Sequence, residues 1–167
     1  MWLVAFALLW ALTLLANLAT AALPLLATAA RELLVLHLAA TTNPPPSAGR
    51  VLAIAAHNIQ AAGWPLLLPL LGAQHRAWSR TLADTAVLAS VTVNAALVGL
   101  ALGAYHVRLL PYVPQLPLEW AGVAVAPADW WLNRTATRGS SRRVALVALA
   151  VSIVSAAVVE TVCVPHR

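Results

Sequence analysis

The chain has 167 residues, 62% of them hydrophobic and 9% charged, with a mean hydropathy of +0.84 and a formal net charge of +5. A soluble domain carries about 25% charged residues, so the composition excludes an ordinary water-soluble fold and points to one integral membrane domain over residues 1–167. All ten basic residues are Arg and lie between apolar stretches. There they orient helices and meet anionic lipid headgroups rather than nucleic acid.

A bilayer core of roughly 30 Å needs about 20 apolar residues of helix. The first stretch, residues 1–29, predicts a span from Trp2 to Ala29 with Asn17 and Pro24 inside it. Its end, ATAA at 27–30, resembles a signal-peptide cleavage site. The stretch lacks a basic leader and is too long for a signal-peptide core, so it reads as a retained first span. Arg31–Ala40 either lies along the interface or extends that helix. The run TTNPPPSAGR at 41–50 is a loop, because three prolines in a row remove donors and clash with a preceding turn.

The second span covers residues 51–72, polar in its first half and kinked by Pro65 and Pro69 in its second. Residues 73–80 form a basic loop with Trp78. The third span covers residues 82–105, with Asn94 near its middle. Ala95, Gly99 and Gly103 follow at a spacing of four, a small-residue face for close helix packing within the chain. The fourth segment, 108–134, holds Pro111, Pro114, Pro117 and Pro127. Pro117 suits a helix start, with Glu119 in the first turn. The 16 residues from Pro117 to Leu132 make a thin span or a re-entrant element. Residues 135–143 are a basic loop, and 144–164 form the last span, with Glu160 near its end. The expected fold is all-α: a polytopic transmembrane bundle of about five segments, the fourth short or re-entrant.

If the fourth segment crosses, Arg76, Arg80, Arg134, Arg138, Arg142 and Arg143 share the side of the N-terminus. Arg31, Arg50, Arg108 and Arg167 take the other, which favours an inside N-terminus and an outside C-terminus. Trp78, Trp130 and Trp131 then mark the cytoplasmic interface. The same topology gathers His57, Asn58, His106, Arg108, Glu119 and Glu160 in one leaflet. Ionisable residues inside a membrane are costly and need partners. Arg108, Asn58 or backbone amides are the expected partners of the two Glu residues. A divalent metal held by two Glu and two His is the alternative, and simple snorkelling to the interface a third. No metal and no other cofactor is expected. Cys163 stands alone, which excludes an intrachain disulfide and a Cys-based zinc cluster. No HExxH, GxSxG, Walker or CxxC motif occurs.

Four places give the chain a family likeness: AHNIQAAGWPLLLPLLG at 56–72, VNAALVGLALGAY at 93–105, LPYVPQLPLEWAG at 110–122 and VSAAVVETVCVP at 154–165. Together they resemble the stage II sporulation protein M family of bacterial membrane proteins. Pro114 and Glu119 match the spacing of its Pro-His-Gly-x-x-Glu signature, with Gln115 and Leu116 in place of His-Gly. Ala95 stands where the family has Gly after Asn94. The resemblance implies a non-enzymatic, multi-pass protein of the cell membrane that organises an envelope complex. A homo-oligomer with envelope or cell-wall protein partners is expected, and a role in sporulation itself is not assumed. Two other functions remain open from the residues. One is a small transporter or channel with a polar path at Asn58, Asn94, Glu119 and Glu160. The other is an intramembrane metal-dependent hydrolase using His57, His106, Glu119 and Glu160.

Overall fold

The computed structural model describes residues 1–38, 47–134 and 141–163. The Pro-rich segment at 41–46, most of the last basic loop with Arg138, and the end of the chain with Arg167 lie outside the described residues. Among the described residues every regular element is helical.

α1 spans Trp2–Ala22 and α2 Pro24–Leu38. The expected unbroken helix to Ala29 is interrupted at Leu23, whose backbone is extended (φ −117°, ψ 99°). The ring of Pro24 disfavours the α region for the residue before it, so the chain turns there. Residues from Arg31 onward thus extend a second helix.

α3 spans Ala48–Gly63. It starts three residues earlier than expected, because the Ser47 side chain accepts a hydrogen bond from the Arg50 amide and caps it. It also ends early. Pro65 cannot donate to the helical ladder, and the chain passes into a 3₁₀ helix, Trp64–Leu67, followed by turns. The expected 22-residue second span is therefore a 16-residue helix with an irregular apolar tail.

α4 spans Ala77–Tyr105, 29 residues and about 43 Å long. It takes in the second half of what reads as a loop at 73–80. It stops at His106, which adopts a positive φ of 43° and donates its amide to the Leu102 carbonyl. Residues His106–Gln115 form a 3₁₀ run, since Pro111 and Pro114 deny it an α-helical ladder. α5 follows over Leu116–Asn133 and α6 over Ser141–Cys163.

The contacts fix the directions of the helices. Gly99 of α4 faces Thr13 and Ala16 of α1, and Gly103 faces Asn17 and Thr20. Both numbers rise together, so α1 and α4 run parallel. Asp84 of α4 meets Trp130 and Arg134 of α5, while Asn94 and Val98 line a cleft with Glu119 and Val123. That pairing is antiparallel. Gly122 of α5 abuts Ile153 of α6, and Gly63 of α3 abuts Leu149 of α6.

The core is centred on α5, where residues 124–130 are all buried. Leu149 and Ile153 of α6 close on Val125 and Ala126. Leu9 of α1 and Ala95 of α4 close on Trp120 and Ala124. The segment that reads as thinnest is thus the one the others wrap. Ala121, Gly122, Ala124, Ala126 and Ala128 keep it slim enough for close approach on several sides.

Three helical stretches are long and apolar enough to cross a membrane: Trp2–Ala22, Ala77–Asn133 and Arg142–Cys163. The second is the continuous α4–3₁₀–α5 run, which doubles back on itself. Their apolar side chains mostly face outward; Leu3, Leu15, Leu18, Leu82, Val147 and Val162 are among the exposed ones. An apolar outer surface of this extent has no place in water.

Candidate functional site

Two polar groups sit at opposite ends of the α4–α5 pair. The first is a clamp. Trp130 is fully buried and donates its Nε1–H to Asp84 Oδ1 at 2.8 Å. Arg134 forms an ion pair with the other oxygen of Asp84 and lies over the Trp131 ring, 4.1 Å from its centroid. One carboxylate thereby satisfies a buried indole and a guanidinium at once. Asn133 donates to Asp129 one turn back at 2.9 Å. The sequence expects Trp78, Trp130 and Trp131 to mark the interface; of the three, Trp130 is buried and the other two are exposed. Asp84 and Asp129 belong to none of the sequence patterns above. Only five acidic residues occur in the chain, and an acidic residue inside an apolar stretch is a signal in itself.

The second group surrounds Glu119. Asn58 of α3 donates its Nδ2 to Glu119 Oε1 at 3.4 Å. Asn94 of α4 donates its Nδ2 to the Ser90 carbonyl at 2.9 Å, on its own helix. These three side chains line a half-enclosed cleft of about 180 Å3 between α3, α4, α5 and α6. Val98, Val123, Ile153 and the Trp120 ring complete its apolar wall. Glu160 of α6 lies within electrostatic reach of Glu119, and Arg50 at the start of α3 within reach of Glu160. Arg50 is the cation that the sequence reading assigned to a loop.

The other expected members do not join. His57 is exposed and, one residue from Asn58, lies about 100° round α3 from it. His106 and Arg108 are exposed at the end of α4 and on the 3₁₀ run. Among the described residues no three His, Cys, Asp or Glu side chains gather as a metal-ligand set. The His–Glu arrangement that a hydrolase requires is therefore not assembled. Gln115 Oε1 and Trp120 Nε1, on either side of Glu119 in sequence, are buried without a partner among the described residues.

Ala95, Gly99 and Gly103 face α1, and all three are buried. A Cβ at Gly99 would come within 2.6 Å of Ala16 Cβ, and one at Gly103 within 2.7 Å of the Asn17 carbonyl oxygen. No L side chain fits at either place without moving a backbone.

Comparison with protein-family models, with curated proteins and with solved structures gives no match.

Proposed function

We propose that this chain is a non-enzymatic, multi-pass protein of the cell membrane that serves as a scaffold for an envelope complex. α1, α3 with its apolar tail, α4, α5 and α6 make five alternating crossings, and the N- and C-termini lie on opposite faces. The observation that carries this reading is how the interior polar groups are used. Asp84, Trp130 and Arg134 tie α4 to α5, Asn58 ties α3 to Glu119, and the Trp2 indole ties α1 to the Ala121 carbonyl at 3.0 Å. Each joins one helix to another, and none is arranged around a reacting bond. The resemblance to the stage II sporulation protein M family supports the same reading and adds the expectation of a homo-oligomer. Gentle purification with cross-linking tests it. An envelope or cell-wall protein recovered in a fixed ratio is the expected result; a lone protomer from every preparation would sink the scaffold.

A second reading, a small transporter or channel, is favoured by one observation. Asn58, Asn94 and Glu119 converge on a cleft instead of packing shut. Glu160, expected in the same path, lies outside the lining.

A further inference from the structure

We propose that the cleft between α3, α4, α5 and α6 is a binding site for a small protonated primary amine, an ammonium group on a short alkyl chain. The inference uses the second reading only for the position of the cleft, and holds whether or not anything crosses.

The charge and hydrogen-bonding pattern of the lining point to this class. Glu119 is the ionisable group of the lining, and the group that donates to it is neutral, the Asn58 amide. An ion pair joins Asp84 and Arg134 at the far end of α5. Arg50, at the start of α3, acts on Glu160. A carboxylate in an apolar segment that has been left for a neutral partner is poised for a cation.

The amides narrow the choice. Asn58 Nδ2 already donates to Glu119, and Asn94 Nδ2 already donates to Ser90. Those bonds set which way each amide is turned. Each amide keeps its carbonyl oxygen and one further N–H. The two amide oxygens and the second oxygen of Glu119 give the lining three acceptors, as many as a primary ammonium has N–H donors.

The walls exclude the other cations. An alkali or divalent ion prefers a shell of six or more oxygens. The cleft instead presents Val98, Val123, Ile153, two Ala and an indole. Aliphatic walls suit an alkyl chain, and an indole suits a cation above its ring. At about 180 Å3 the cleft holds more than an ammonium ion alone, since one water needs only roughly 10–15 Å3.

The test is thermal melting and calorimetric titration of the full chain in lipid nanodiscs, with n-propylammonium chloride as probe and sodium, potassium and tetrapropylammonium chlorides at matched ionic strength. A saturable response to propylammonium alone is expected. Glu119→Gln, which keeps the shape, should weaken it at least tenfold. Asn94→Leu, which removes an acceptor on an exposed position and fills the cleft, should do the same independently. Equal responses to all four salts would overturn the site. Saturable sodium or potassium binding without propylammonium binding would overturn the ligand class. Unchanged binding in both variants would place the amine elsewhere and sink the proposal. Uptake of labelled propylammonium by proteoliposomes separates the two readings: binding without uptake leaves the site standing and removes the transporter.

Discussion

One helix presents two contrasting faces. On the α1 side of α4, beside the buried Ala95, Gly99 and Gly103 leave no room for a methyl group. One residue away, Asn94 and Val98 border an open cleft. The first face is built from backbone contact, the second from polar side chains that fail to fill their space. Without a hydrophobic driving force between helices in lipid, close packing is a main source of association. Giving up packing beside Glu119 therefore costs stability, and a cost tolerated at one place on an otherwise close-packed helix marks the place where function is to be sought.

That contrast can be broken by substitution. Gly99→Leu should have the largest effect, a loss of at least about 3 kcal/mol or failure to fold, because the three nearest atoms are two of the α1 backbone and one Cβ. Thermal unfolding in detergent reads it directly. Asp84→Ala should come next. It strands the buried Trp130 N–H and frees Arg134, for about 1–3 kcal/mol. Asp84→Asn should recover the indole bond and part of that loss. Glu119→Leu strands only the Asn58 amide, held at 3.4 Å and half exposed, so about 1 kcal/mol is expected. Asn94→Leu should be smallest, within about 0.5 kcal/mol, since its neighbours leave room. A reversed order, with Asn94→Leu unfolding the protein and Gly99→Leu harmless, would show that the two faces have been assigned the wrong way round.

Much of this was legible in the sequence. Small residues spaced by four read directly as a packing face, because spacing on a helix is geometry. Pro117 and Glu119 marked the start of α5 for the same kind of reason. The breaks after Leu23 and Gly63 were harder. A proline inside an apolar run is compatible with a kinked continuous helix or with a turn, and which one occurs depends on what packs beyond it. The polar cluster was half legible. The pairing of Asn58 with Glu119 followed from placing both in one layer. Arg108 and the two His residues were placed in that layer by level along the bundle axis alone, and level says nothing about which way a side chain points. The burial of Trp130 was illegible for a related reason. Trp at a segment end is commonly an interfacial anchor, but here Asp84, 46 residues earlier, supplies the acceptor that lets the indole go inside. Such long-range partners have no periodic trace in a sequence.

The central claim is that α5, short as it is, crosses in its own right at the middle of an alternating bundle. Topology reporters placed in the 3₁₀ run at residue 110 and in the basic loop at residue 137, read in intact cells, test it most directly. The account predicts that the reporter at 137 falls on the side of the N-terminus and the one at 110 on the side of the C-terminus. Both reporters on one face, with the two termini sharing a side, would mean that α5 enters and returns, and the five-crossing arrangement would be contradicted.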